Sequence, residues 1–282
     1  METRADSSRV PYVLSAIVVV LAVVASATGM LCPAVYRFKN WLSVVFSNDL
    51  VTLGLAVPIL VASMIRAARG SARGYAIWAG SLYYMIYNYA FYLVGAPVNK
   101  LFPAYSGLFS LSVFALVFVL RSSIVEQIGE RLRARTPARP IVAYMFSSGA
   151  LVGGFWLFQW LKFCVTGEVP QVSGKEDDYR MIAGIDLTFL LPLVLPAAYW
   201  LWRRRPWGYV LAVMTNVQGA LYGLVLTAVS FFSWKAGTPG ALTMLPVWIV
   251  FGTGSLLCLA GLLARVEAPS AVSRPTCAPA AV

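Results

Sequence analysis

Long runs of uncharged, mostly apolar residues alternate with short charged segments along almost the whole chain. Eight of these runs contain no Asp, Glu, Lys or Arg: residues 10–36, 50–65, 74–99, 101–120, 140–161, 187–202, 206–234 and 236–264. A helix needs about 20 apolar residues to cross the hydrocarbon core of a bilayer. The two shorter runs gain length from Arg66 and Arg203, whose long side chains can reach the headgroups. The pattern therefore predicts an all-α polytopic membrane protein with eight transmembrane helices.

The two halves of the chain carry similar landmarks. Asp49 precedes Arg66 by 17 positions, and Asp186 precedes Arg203 by the same 17. Such matched spacings indicate an internal duplication with four helices in each half. Because four is an even number, the two halves would be parallel repeats, related by an axis along the membrane normal.

The domain organisation follows from this pattern. We expect a first membrane half at residues 1–121, a cytoplasmic connector helix at 122–139, a second membrane half at 140–265 and a disordered cytoplasmic tail at 266–282. In the connector, Ile124, Ile128 and Leu132 recur every four residues and predict one apolar helix face. The tail is rich in Pro, Ala and Ser, a composition typical of disordered segments.

The composition excludes a soluble globular domain, because 60% of the residues are hydrophobic and only 12% are charged. The formal net charge is +11. Fifteen of the 22 basic residues fall on the side of the predicted membrane that holds both termini, and seven fall on the other side. Since cytoplasmic loops collect Lys and Arg, both termini are predicted to be cytoplasmic. The positive charge thus fits a lipid bilayer as partner, and no nucleic-acid partner is expected.

Four phrases in the sequence carry a resemblance to known proteins. They are Asn48-Asp49-Leu50-Val51-Thr52-Leu53, Tyr84-Met85-Ile86-Tyr87-Asn88-Tyr89-Ala90-Phe91-Tyr92, Phe109-Ser110-Leu111-Ser112 and Arg204-Arg205-Pro206-Trp207-Gly208-Tyr209. These phrases resemble a family of bacterial polytopic integral membrane proteins that has no assigned activity. The resemblance covers roughly residues 45–115 and 180–225 and implies the bacterial cytoplasmic (inner) membrane, but no catalytic residues.

Several kinds of chemistry are excluded or unsupported by the sequence. The chain has no His, which excludes a His-ligated haem, an imidazole metal site and a His general base. Its four cysteines form no Cys-x-x-Cys pair, and no phosphate-binding, zinc-protease or serine-hydrolase motif is present. We therefore predict no catalytic residue, no cofactor and no metal. Cys32 and Cys164 end the first and fifth predicted spans on the outer side, at corresponding positions; free thiols are expected, with a disulfide as the alternative.

Two aspartates are the leading candidates for a functional site near the outer face. Asp49 follows Ser47 and Asn48 and is interpreted mainly as a helix cap. Asp186 follows an apolar stretch and is predicted to lie more than one turn inside a helix. An ionisable residue within a span is costly, so it marks either a functional site or a structural pair.

Lys162 is the predicted partner of Asp186, because it lies at the outer end of the neighbouring helix. Gln159 is three positions earlier and shares its helix face. The Lys162–Asp186 ion pair would either join two helices or form part of a polar pocket.

A third group of candidates lies on the tyrosine-rich helix at residues 74–99. Tyr84, Asn88 and Tyr92 recur at four-residue spacing and share one face. Hydroxyl and amide groups in hydrocarbon need partners, so this face must point into the helix bundle. It serves either interhelical hydrogen bonding or the wall of a ligand pocket.

Two Gly-x-x-x-Gly motifs predict close helix contacts, either within the bundle or between protomers of an oligomer. They are Gly149 with Gly153 and Gly219 with Gly223.

These observations lead to one functional hypothesis and two alternatives. The first is permease-like handling of a small solute or lipid through an outward-facing polar pocket, lined by Asp186, Asp49, Lys162, Asn88, Tyr84 and Gln159. The alternatives are a non-catalytic membrane assembly or scaffold protein, and an outer-leaflet enzyme that uses the paired aspartates.

Overall fold

The computed structural model describes residues 2–36, 42–95, 97–133, 137–172 and 176–264. Within these ranges the protein is all-helical and contains no β-strand. The predicted all-α class is therefore confirmed. The predicted disordered tail at 266–282 lies outside the described residues.

The described residues form eleven α-helices, and two of the spans contain a π-helical turn, at Thr52–Ala56 and at Asp186–Leu190. The α-helices are α1 (Glu2–Leu31), α2 (Leu42–Val51), α3 (Val57–Ala68), α4 (Ala72–Val94), α5 (Phe102–Val119), α6 (Ser122–Arg133), α7 (Ala138–Thr166), α8 (Glu176–Ile185), α9 (Leu191–Trp202), α10 (Pro206–Lys235) and α11 (Leu245–Leu263).

Seven helical segments of the described chain are long and apolar enough to cross a membrane, so the protein is a multi-pass membrane protein by length and composition. They are Arg9–Leu31, Leu42–Ala68, Phe102–Val119, Ala138–Thr166, Glu176–Trp202, Pro206–Lys235 and Leu245–Leu263. The predicted eighth span corresponds to α4, which is long enough but contains six tyrosines and an asparagine. These polar side chains lower its hydropathy, and the count of eight is not confirmed.

Helices α4 and α10 form the centre of the bundle and pack against each other. Helix α4 also packs against α3, α5 and α8, while α10 packs against α9, α11, α2 and α6. Helices α1 and α7 lie further out, against α5 and α9 respectively. The tyrosine-rich helix α4 is thus surrounded by other helices, because its hydroxyl groups find partners only inside the protein.

The connector helix is present as α6, but its buried face differs from the predicted one. Val125, Ile128 and Leu132 are buried, whereas Ile124 is exposed. Spacings of three and four residues place the buried trio on one face, which packs against α10. A methyl group at Gly129 would lie 2.3 Å from the backbone oxygen of Pro206, so this contact is close.

Both Gly-x-x-x-Gly motifs make contacts inside the chain. Gly149 and Gly153 of α7 face α9, where a methyl group at Gly153 would lie 2.7 Å from Leu191. On α10, a methyl group at Gly223 would lie 2.5 Å from the Cα atom of Gly252 in α11. Small residues thus let α10 and α11 approach backbone to backbone.

Candidate functional site

Asp49 lies inside a helix and not at its cap, which corrects the interpretation from the sequence. Helix α2 begins at Leu42, seven residues before Asp49, and the side chain of Asp49 is only 3% exposed. The uncharged run begins at residue 50 and therefore predicts a helix start that is too late. The polar residues before it are also helical and buried. An aspartate at this depth is costly and needs partners.

Two tyrosines donate hydrogen bonds to the carboxyl group of Asp49. Tyr92 of α4 donates to Oδ1 at 3.1 Å, and Tyr36, in the connection between α1 and α2, donates to Oδ2 at 2.6 Å. Burial and the neighbouring Asp49 raise the pKa of Tyr36 above its ordinary value. Its hydroxyl therefore stays protonated and remains a donor.

Helix α1 packs against the Tyr36–Asp49 hydrogen bond at Gly29. A methyl group at Gly29 would lie 2.2 Å from Asp49 Oδ2 and 2.3 Å from Tyr36 Oη. Both distances are far below ordinary contact. Only a residue without a side chain lets α1 pack against the Asp49–Tyr36 pair.

Several buried polar atoms around Asp49 have no well-formed hydrogen bond among the described residues. The rings of Tyr89 and Tyr105 lie 5.6 and 4.7 Å from that of Tyr92. Ser26 interacts weakly with Asp49 and Tyr89, and Tyr105 interacts weakly with Tyr36. The atoms without a well-formed hydrogen bond are Ser26 Oγ, Asn48 Oδ1, Asn88 Oδ1, Tyr89 Oη and Tyr105 Oη. Buried polar atoms are nearly always bonded to something, so this cluster calls for water or a ligand.

Tyr84 and Asn88 continue this polar region along the α4 face. Thr52 Oγ1 lies 3.1 Å from the hydroxyl of Tyr84 and accepts a long hydrogen bond of 3.4 Å from Asn88 Nδ2. All three side chains are buried. The structure therefore brings Asp49, Tyr84 and Asn88 into one region, where Thr52 joins them.

Both aspartate-bearing spans are interrupted by a π-helical turn beside the aspartate. One begins at Thr52, three residues after Asp49, and the other begins at Asp186 itself. Each turn is followed by a helix with a proline in its first two positions. Single π-helical turns inside α-helices occur frequently at functional sites, and they re-aim the side chains that follow.

Asp186 is held by a different set of partners. Tyr87 of α4 donates to Oδ1, and Trp156 of α7 donates to Oδ2 from Nε1 at 2.8 Å. Tyr179 donates in turn to the backbone oxygen of Trp156 at 3.2 Å. In the described part of the chain, none of these side chains is left with an unpartnered buried atom. Asp186 is 8% exposed and joins α4, α7 and the α8–α9 span.

The predicted Lys162–Asp186 ion pair is wrong. Lys162 Nζ lies 2.5 Å from Glu168 Oε2 at the exposed C-terminal end of α7, where the hydrogen bond and charge of Lys162 lower the pKa of Glu168. Gln159 is half-buried on the same helix. Neither Lys162 nor Gln159 contacts Asp186, because Trp156, one or two turns earlier, reaches the carboxyl group instead.

Cys32 and Cys164 are both exposed free thiols, as expected. The alternative disulfide between them is not formed. The third described cysteine, Cys258, is buried in α11.

The residues that sequence reasoning missed are the aromatic donors and the small residue that accommodates them: Tyr36, Trp156, Tyr105, Ser26 and Gly29. Tyr87 lies on α4 with these candidates, but the sequence predicts no partner for it. One signal could have found some of them, namely that a buried carboxyl group requires donors, which Tyr, Trp and Ser side chains carry.

Comparison of the chain with protein families, with curated proteins and with solved structures found no match.

Proposed function

We propose that the protein is a permease-like membrane protein that binds a small solute at Asp49, in a polar pocket that opens toward the outer face. The observation that carries the proposal is the cluster of unpartnered buried oxygen atoms around the Asp49 carboxyl group. An intramembrane ionisable residue with surplus polar neighbours is typical of substrate and ion pathways.

The chemistry of this cluster favours a solute with a positive charge or several hydrogen-bond donors. Among the described residues, Asp49 has no ion-pair partner. The amide oxygens of Asn48 and Asn88 accept hydrogen bonds but cannot donate them. A protonated amine or a monovalent cation would satisfy these acceptors and compensate an ionised Asp49 at once.

Tyr36 is the element that would control access to this pocket. It covers Asp49 from the connection between α1 and α2, outside the candidate spans. Rotation of this one side chain would expose the carboxyl group toward the end of the bundle where that connection lies. The present arrangement would then be an occluded state.

The wider setting of this proposal is a bacterial inner-membrane protein with eight spans and cytoplasmic termini. Helix α4 would be the eighth span, since its 23 residues cover roughly 35 Å at 1.5 Å per residue. The two parallel halves would be α1–α5 and α7–α11. The central α4–α10 pair supports this division into halves, because each of these two helices packs against a span that contains a π-helical turn.

A scaffold function is the second candidate, and Asp186 is the observation that favours it. Its carboxyl group is satisfied by Tyr87 and Trp156 and joins three helices, which is what a structural polar contact does. The paired-aspartate enzyme has no comparable support, because Asp49 and Asp186 are bound by separate sets of side chains.

Native mass spectrometry of the detergent-purified protein tests the proposal. The wild type should retain a small molecule that Asp49→Asn loses. Asp177→Asn is the matched control, because it makes the same change in an exposed pair with Arg180. Asp186→Asn should retain the molecule if it folds. A wild type that carries only bulk lipid, or an Asp49→Asn variant that keeps the same species, would contradict the proposal and favour the scaffold function.

A further inference from the structure

A cavity of about 490 Å³ lies at the opposite end of the bundle from Asp49. It is bounded by the start of α1, the turn between α3 and α4, the end of α5 and helix α6. Tyr75, in its wall, precedes Tyr92 by 17 residues of α4, or about 25 Å. The cavity is therefore separate from the Asp49 cluster. Its volume is in the range of ordinary small-molecule sites.

Positive charge marks the rim of this cavity. Arg121, at the end of α5, and Arg131, on α6, both line it, and the described lining contains no acidic residue. The guanidinium of Arg121 lies 5.7 Å from the centre of the Phe118 ring. Arginine side chains bind phosphate and carboxylate groups in a planar, two-pronged geometry.

The start of α4 adds to this positive potential. Ser71 caps the helix by accepting a hydrogen bond from the backbone N–H of Gly74 at 3.2 Å, and Ser71 and Ala72 both line the cavity. The N-terminus of a 23-residue helix attracts anions through its unpaired N–H groups and its dipole. Two arginines and this helix end thus converge on one space.

The floor of the cavity is aromatic. The rings of Tyr12 and Trp78 lie 4.5 Å apart. Trp78 donates to Ser15 Oγ at 3.0 Å, and Tyr75 donates to the backbone oxygen of Val119. With the polar groups of Trp78 and Tyr75 already bonded, the floor presents ring faces that suit an apolar group.

We infer that this cavity binds a phosphate-bearing ligand, with the phosphate at Arg121, Arg131 and the start of α4. The phosphate belongs either to a lipid headgroup, whose apolar part contacts the aromatic floor, or to a soluble phosphate compound. On the orientation predicted from the basic residues, the cavity faces the cytoplasmic leaflet, where anionic headgroups are abundant.

Native mass spectrometry of the full chain in detergent, titrated separately with three probes, tests this inference. The probes are dioleoyl phosphatidic acid, dioleoylglycerol, which lacks only the phosphate, and inorganic phosphate. We expect the phosphatidic acid to bind at one molecule per chain and the dioleoylglycerol at least roughly tenfold more weakly, since charge-assisted contacts are lost. Saturable binding of inorganic phosphate with no preference for the lipid would instead identify a soluble phosphate compound as the ligand.

Two variants on the same helix locate the effect. Arg131→Gln should weaken phosphate binding roughly tenfold, whereas Arg133→Gln should change it less than twofold, because Arg133 pairs with Glu130 and does not line the cavity. Asp49→Asn should leave this binding unchanged, so the result is independent of the proposed solute site. Equal binding of phosphatidic acid and dioleoylglycerol without inorganic phosphate binding, or equal losses in both arginine variants, would overturn the inference.

Discussion

Asp49 lies three residues before a π-helical turn and Asp186 begins another, and each accepts a hydrogen bond from a tyrosine of α4. Around Asp186, the donors Tyr87 and Trp156 are accompanied by no unpartnered buried side-chain atom in the described chain. Around Asp49, five such atoms remain. The arrangement around Asp186 resembles a complete internal contact. The arrangement around Asp49 resembles a binding site, because it leaves polar atoms for a ligand.

This difference shows why burial alone does not identify a functional carboxyl group. A fully satisfied polar network fixes how helices pack, and it leaves no acceptor or donor for a ligand. A partly satisfied network is unfavourable unless water or a solute completes it. The sequence pattern ranks Asp186 above Asp49 by depth in the helix, and the hydrogen-bond partners reverse that order.

The largest expected effect comes from removing a donor to Asp186. Trp156→Phe deletes the indole N–H and leaves one carboxyl oxygen without its partner, which should lower the free energy of unfolding by about 2–4 kcal/mol. The measurement is chemical unfolding in detergent micelles. Trp160→Phe is the matched control, because Trp160 is on the same helix and 52% exposed.

Equal and small effects of the two tryptophan variants would contradict the structural role of Asp186. In that case the carboxyl group would not depend on Trp156, and the comparison of the two aspartates would lose its basis.

The general architecture was accessible from the sequence because the bilayer imposes it. Hydrocarbon thickness fixes the length of an apolar helix, so the uncharged runs locate the spans. The helix starts are predicted less accurately, since the run at 187–202 begins 11 residues after the start of the span Glu176–Trp202. The position of Asp186 inside a helix was also predicted, from the apolar stretch before it, and α8 begins ten residues earlier at Glu176. Among the eight predicted spans, only α4 is less apolar than a membrane-spanning helix is expected to be, because a helix enclosed by others need not be apolar.

The details of the site were not accessible, because they depend on contacts between distant parts of the chain. Tyr36 reaches Asp49 across 13 residues, and Trp156 reaches Asp186 across 30. No periodicity encodes such contacts. The predicted partner Lys162 has the right charge and the right helix, but a closer carboxylate, Glu168, is available in solvent, where neither charge must be desolvated.

An intermediate effect is expected from filling the space at Gly29. Gly29→Ala places a methyl group against the Asp49–Tyr36 hydrogen bond, so one side chain must move. We expect a loss of about 1–3 kcal/mol in the free energy of unfolding, the usual cost of overpacking, together with loss of the retained solute. Unfolding in micelles and native mass spectrometry measure the two effects.

Gly154→Ala is the control for this variant, because a methyl group at Gly154 in α7 would meet nothing within 4 Å. It should be neutral or slightly stabilising, since alanine favours a helix more than glycine does. If both glycine variants behave alike, Gly29 does not support the Asp49 site, and Tyr36 is not held where the hydrogen bond requires.

The smallest expected effect concerns Lys162, and it separates the predicted ion pair from the observed one. Lys162→Gln removes only an exposed partner of Glu168, and exposed ion pairs contribute little because water and salt screen them. The unfolding midpoint should therefore stay within measurement error. In a double-mutant cycle, Lys162→Gln and Asp186→Asn should be additive, as expected for residues without contact. A non-additive result would restore the ion pair that the sequence predicted. It would also give Asp186 a charged partner, and the contrast between the two aspartates would then be one of charge compensation as well as of hydrogen bonding.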